Sequence, residues 1–355
     1  MSLFEEFKSG RFHAKNHFAR AASKEQICSP DGHIPNEIYD FYEKLAAGGL
    51  GTIIVSSARV KLFDGTKPQG MFRLDRHELL PEYRKLADIG HRYGATMIIQ
   101  ESFSKFKDID KLEDIDFERI VNLHAEAALF AKEAGFDGVE LHEAHGTLMF
   151  LGMILKPATN QRSDAYGQDR GLLIEKIVKQ IRRYAGDDFI IMSKEDCGDE
   201  QNGYSEQMAL EHCLRLEKAG VDCIEVSGPT VTRGKDDRYE VSYFRDFAIR
   251  LKKELSIPVM LVGGNKDLEI MEKLNEEEGI DLFSLSRISS REFDIVNRWQ
   301  SGDRSPSKCR LCNACGKTFG HLCPFNPDNP FDFRQKPFYD MSGNPLRPYD
   351  LMNEA

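Results

Sequence analysis

At 355 residues the chain is long enough for two average domains or for one large α/β barrel, which takes about 250 residues plus insertions. An apolar share of 41% can fill a sizeable core, and a formal net charge of −10 argues against nucleic acid or an anionic membrane surface as a general partner. The opening MSLFEEFKSGRF has no apolar leader core, and no apolar run approaches the ~18 residues of a membrane span, so a soluble cytoplasmic protein is expected.

Taken in order, strand-like runs alternate with helical patterns, the sign of βα units on a parallel sheet. The runs are 17–22 (HFARAA), 51–57 (GTIIVSS), 96–100 (TMIIQ), 137–142 (DGVELH), 189–194 (FIIMSK), 222–228 (DCIEVSG), 258–263 (PVMLVG) and 281–286 (DLFSLS). Eight such units predict a single (β/α)8 TIM barrel. Between them, three-to-four spacing of apolar residues predicts helices near 36–47, 78–92, 117–134, 171–184, 205–219, 242–254, 267–277 and 290–299. From 301 onward Pro, Asn, Asp and Gly replace that periodicity, so residues 1–300 are read as the barrel and 301–355 as a Cys-rich irregular C-terminal extension.

The densest polar chemistry follows the fourth strand, where His142, Glu143 and His145 stand at its C-terminal end. Catalytic groups of parallel barrels sit there. A histidine at a strand end is also commonly a hydrogen-bonded core residue, and two histidines around a glutamate invite zinc, although the spacing is not H-E-x-x-H. The other strand ends supply Gln100, Lys194, Gly263-Gly264 and Ser286-Arg287. A glycine pair lets backbone N–H groups approach an anion, and the arginine after the next strand adds charge, so the last two loops are a candidate phosphate site as well as a simple tight turn.

These residues resemble the old yellow enzyme family of FMN oxidoreductases. HEAHG followed by N-x-R-S-D-x-Y-G at Asn160–Gly167, KNHFARAA at Lys15–Ala22, LVGGN at Leu261–Asn265 and SLSR at Ser284–Arg287 carry the resemblance, which spans roughly 12–300. It implies FMN across the barrel mouth, with Ala22, Ser23 and Ser57 against the ring and Gln100 on its pyrimidine edge. Lys194 stands where the family usually has arginine, and Gly263, Gly264, Ser286 and Arg287 match the phosphate loops. It implies that His142 and His145 donate hydrogen bonds to a substrate carbonyl or phenolate oxygen, drawing electron density from a conjugated alkene. Thr147 replaces the tyrosine that commonly protonates the α carbon, Lys24 replaces a Cys or Thr near the flavin edge, and the short ESFSKFKDIDKLEDID stretch after Gln100 suggests an abbreviated substrate cap.

Of eight cysteines, Cys28, Cys197, Cys213 and Cys223 are scattered, whereas Cys309, Cys312, Cys315 and Cys323 follow the pattern C-x2-C-x2-C-x7-C. That segment resembles the cluster loop of larger relatives such as dienoyl-CoA reductase and trimethylamine dehydrogenase. It implies a [4Fe–4S] cluster, with zinc and free thiols as alternatives. No G-x-G-x-x-G follows a strand, so electrons are expected either from NAD(P)H over the flavin or singly from a separate electron-donor protein. The leading expectation is reduction of an activated alkene on a small carbonyl compound. The alternatives are oxidation of an amine or alcohol and a flavin electron carrier without turnover of its own. A homo-oligomer is left open.

Overall fold

The computed structural model describes residues 2–61, 70–103, 109–230 and 241–329, together with the backbone of two short strands, Phe338–Tyr339 and Pro345–Leu346. The abbreviated-cap reading after Gln100 lies partly outside the described residues. So does much of the extension.

A hairpin opens the chain, β1 (Phe7–Ser9) against β2 (Phe12–Ala14), turned by Gly10 at φ +55°. The barrel strands follow: β3 (Phe18–Arg20), β4 (Thr52–Arg59) with a two-residue β5 (Phe72–Arg73) beside its end, β6 (Thr96–Ser102), β7 (Gly138–His142), β8 (Ile190–Asp196), β9 (Cys223–Ser227), β10 (Val259–Leu261) and β11 (Leu282–Ser284). Every barrel pairing is parallel, and β3 pairs with both β11 and β4, which closes the cylinder. All eight expected strands are present.

The helices that return the chain are α1 (Asn36–Ala47), α2 (Leu80–Arg92), α3 (Asp114–Glu133), the short α4 (Phe150–Leu155) and α5 (Ala165–Gln168), α6 (Leu172–Ala185), α7 (Glu206–Ala219), α8 (Arg245–Glu254), α9 (Leu268–Glu278), α10 (Ser286–Arg291) and α11 (Ile295–Gln300). Local chemistry starts and stops them. A reciprocal Glu113–Asp116 capping box opens α3, Ser205 accepts from the Met208 N–H at the start of α7, and Gly220 in the left-handed region ends it.

One expectation needs correction. The helix expected over 290–299 is two, because Glu292 leaves helical geometry (φ −140°) to accept from Ser307 Oγ and the Lys308 N–H. That buried carboxylate ties the extension to the barrel. The sequence reading also left out the hairpin, whose Phe7 and Phe12 plug the floor against Ala19, Ile54, Ile98, Ile190, Met192, Cys223, Met260 and Leu282. With the floor sealed by apolar side chains, the interior can hold polar groups only toward the C-terminal mouth. Among the described residues no helix is long and apolar enough to cross a membrane.

Candidate active site

Directly above the apolar floor lies a polar layer built by strand alternation. Gln100 lies opposite Glu140 in register, and Lys194 opposite Glu225. Gln100 Nε2 donates to Glu140 Oε2 at 2.6 Å, Lys194 Nζ meets Glu225 Oε2 at 2.5 Å, and Ser284 Oγ donates to Glu225 Oε1 at 2.5 Å. Burial pushes the Glu140 carboxyl well up, and the neighbouring Glu225 carboxylate pushes it further. Burial alone would lower Lys194, but Glu225 and Glu140 outweigh it and hold the ammonium charged. One lysine charge thus stands beside two buried acids, of which Glu140 is the one pushed toward its protonated form. Sequence reasoning missed both acids; Glu140, two residues before His142 on the same strand face, was the available signal.

His142 and His145 meet edge to face, Nε2 to Nδ1 at 2.9 Å, and His145 Nε2 lies 3.3 Å from Ser227 Oγ. His142 Nδ1 is buried with no hydrogen-bond partner among the described residues. Burial holds both imidazoles neutral, His145 pushed down to about 3, and Lys194 reinforces this. The turn between them is held from below. Asp196 accepts the His145 N–H at 2.7 Å and the Gly146 N–H at 2.9 Å, both residues having positive φ (+72° and +64°), and its carboxylate pairs with the fully buried Lys156 at 2.9 Å. Two successive N–H groups thus converge on the two oxygens of one carboxylate.

Glu143 does not join the two histidines, which overturns a zinc site of His142, Glu143 and His145. It alternates to the outer face of β7, where it meets His212 at 2.8 Å and accepts from Ser193 Oγ, with Glu195 alongside. Burial pushes its carboxyl up to about 7. The folded state therefore keeps a proton that an unfolded Glu, with a usual value near 4.3, releases. Its contribution to stability is present in acid and is lost as pH rises toward 7. Glu143→Gln is expected to flatten that fall by roughly 3 kcal/mol, read from urea midpoints at pH 5 and pH 8; parallel pH profiles would refute it.

On the same C-terminal rim, Ala22, His145, Lys194, Gly263, Gly264, Ser286 and Arg287 line one hollow of about 60 Å³. Gly263 (φ +107°) has no room for a side chain, since a Cβ would lie 2.7 Å from the Tyr243 ring and 2.8 Å from that of Phe244. Ser23 Oγ reaches Ser286 Oγ at 2.9 Å, and Arg287 is braced by Tyr243 OH at 2.7 Å and by Asn313. Ser57 and Gln100 do not line this hollow. Ser57 sits where β4 bulges between Val55 and Ala58, and its buried hydroxyl, like Arg59 Nη1, has no partner among the described residues. Such orphaned donors around the mouth, with a glycine cradle opposite, fit an anionic, hydrogen-bonding cofactor such as FMN.

Arg287 also borders a second hollow, of about 690 Å³, lined by all four of Cys309, Cys312, Cys315 and Cys323. Burial pushes Cys315 up to about 11 and Cys323 up to about 12, and neighbouring thiols in the group add to both rises. A bound cation would reverse that cost. Among the described residues only Glu143, Glu195 and His212 bring three potential ligand atoms within 4.8 Å of one another. No three of the cysteine sulfurs therefore lie within 4.8 Å of one another, whereas one tetrahedral zinc with ~2.3 Å bonds needs edges of ~3.8 Å. His321 Nδ1 contacts the Ser23 carbonyl at 2.8 Å, linking this loop to the mouth.

An eight-stranded parallel barrel that gathers a glycine pair, an arginine and paired histidines on its C-terminal rim is, by class, an α/β-barrel enzyme. Residues 101–305 match the model of the NADH:flavin oxidoreductase / NADH oxidase family, and the chain belongs to that family. It is 27% identical over 368 residues to an NADH oxidase of Thermoanaerobacter brockii, covering 92% of this chain and 56% of that protein. It is 26% identical over 323 residues to a metal reductase of Desulforamulus reducens, covering 81% and 47%. The chain thus spans about half the length of these curated relatives. Its fold matches a 2-naphthoyl-CoA reductase complex at TM-score 0.83 and 20% identity, over 93% of this chain and 57% of that one. It also matches an old yellow enzyme homologue from Zymomonas mobilis at TM-score 0.71 and 16% identity, over 94% and 100%. The family resemblance carried by the motifs is therefore borne out.

Proposed function

We propose that the chain binds FMN across the barrel mouth and reduces an activated alkene of a small carbonyl compound, with electrons from NAD(P)H or through an iron–sulfur cluster. The observation that carries this reading is the hollow in which His145 and Lys194 share a lining with Gly263-Gly264 and Arg287, with the His142 imidazole 2.9 Å from that of His145. Ala22, Ser23 and Ser57 would hold the ring, Gln100 and Lys194 its polar edge, and Gly263, Gly264, Ser286 and Arg287 the phosphate. When bound, FMN supplies a hydride donor that the protein's own side chains lack. His142 orients the substrate oxygen and polarises it through an N–H, and the buried mouth excludes water, which strengthens that hydrogen bond. Cys309, Cys312, Cys315 and Cys323 would ligate a [4Fe–4S] cluster; the width of their hollow favours a polynuclear centre over zinc. In this reading residues 1–300 form the flavin barrel and 301–355 the cluster extension.

A second reading, oxidation of an amine, has one observation in its favour. Thr147 lies in a cleft of about 740 Å³ beside His145 that carries Asp199, Glu200 and Glu206 and no lysine or arginine among its described lining. Anaerobic preparation should give bound FMN and iron. Protein reduced by NADH or NADPH is expected to be reoxidised by an enone, and His142→Ala to slow that step on the order of 10²-fold. Indifference to enones together with flavin reduction by amines would replace the first reading with the second.

A further inference from the structure

Arg287 is the one described residue that lines both hollows, the small one at Gly263-Gly264 and the large one that carries the four cysteines. Its guanidinium is gripped from two sides. Nη2 donates to Tyr243 OH at 2.7 Å, and Nη1 donates to Asn313 Oδ1, which the sequence places between Cys312 and Cys315. Two of its five N–H groups are thereby used, and three remain for an anion. The same cysteine segment reaches the phosphate residues a second time, since His321 Nδ1 contacts the Ser23 carbonyl at 2.8 Å and Ser23 Oγ meets Ser286 Oγ at 2.9 Å. Asn313 (φ +60°) and His321 (φ +50°), which make these two contacts, both hold left-handed backbone, as does Leu311 (φ +54°) between the first two cysteines. Such a conformation persists in a non-glycine residue where its surroundings dictate it. A centre bound by the four thiols would do so, because Asn313 lies between Cys312 and Cys315, and His321 between Cys315 and Cys323.

We propose that Asn313 is a positioning residue that links the two hollows: filling the cysteine site fixes Asn313 against Arg287, presents the guanidinium to the flavin phosphate and so tightens FMN. This rests on the FMN and iron–sulfur readings given above. The linkage is reciprocal, so bound FMN tightens the hold on the metal centre by the same factor. A centre that made no differential contact with the phosphate residues would leave FMN affinity untouched.

The test is flavin fluorescence on serial dilution of the holoprotein, which gives the FMN dissociation constant, read together with iron content per chain. Stripping the iron with an oxidant and a chelator should weaken FMN binding about five- to tenfold in the unaltered protein. Asn313→Gly deletes the acceptor while keeping left-handed backbone easy, and should weaken FMN binding by a similar factor with iron still in place. Iron removal from that variant should then cost less than it does in the unaltered protein. Asn313→Asp keeps an acceptor on a residue that tolerates the same backbone, and should restore FMN affinity. An affinity indifferent to iron, or to Asn313→Gly at full iron content, would overturn the proposal. Protein that carries flavin and never iron would overturn it together with the cluster reading, whereas protein without flavin absorption would overturn the FMN reading and the linkage with it.

Discussion

Asp196→Ala is expected to cost about 3–5 kcal/mol of stability, because it leaves the Lys156 ammonium buried and unpaired. Lys156 is fully buried, its Nζ 2.9 Å from Asp196, with the Tyr204 ring centroid 5.1 Å away. Water cannot take over the lost carboxylate there. The same change removes the acceptor for the His145 and Gly146 N–H groups, so two backbone donors in left-handed geometry lose the bonds that hold them. Lys156→Met together with Asp196→Ala should recover a large part of the stability, because no charge is stranded, yet should leave the His145 turn unanchored. Stability and catalysis therefore separate in the double variant. Urea unfolding and enone turnover on the three proteins check this; equal stability of single and double variants would mean that Lys156 finds another partner.

How much of this was legible in the sequence follows from the range of the forces involved. The eight strands could be read because each is a short apolar run bounded by turn residues, a local property. The cysteine set could be read because C-x2-C-x2-C confines three thiols to one loop. Glu140 and Glu225 were passed over because an acid inside a strand ordinarily faces water; only the closed barrel, and Lys194 across from Glu225, make them interior. Glu292 looked like a residue of a continuous helix because its partners, Ser307 and Lys308, arrive from beyond that helix. Asp196 lies 51 positions from His145 in the chain, and no spacing rule connects a strand-end carboxylate to the backbone of a turn on the neighbouring strand. The floor hairpin was missed for a different reason, since FKS and FHA lack the apolar run that marks the barrel strands.

Lys194→Met tests the polar layer in the same physical terms, with pH as the second variable. Removing the ammonium leaves Glu140 and Glu225 together in the barrel interior without a counter-charge, expected to cost about 3–5 kcal/mol near neutral pH. The variant can relieve that cost by binding a proton, since loss of Lys194 removes a charge that lowers Glu140 and so raises it further above the usual carboxylate range. A raised folded value means stability present in acid and lost as pH rises. The deficit of Lys194→Met against the unaltered protein should therefore be small near pH 5 and grow toward pH 8. Adding Glu225→Gln removes the stranded charge and should remove the pH dependence with it, whereas Lys194→Arg keeps the charge while replacing an ammonium by a planar fork that must fit between Glu225 and Glu140. A deficit independent of pH would show that Lys194 contributes packing rather than charge, and the layer would then lack the balance that lets a cation stay charged beneath the mouth.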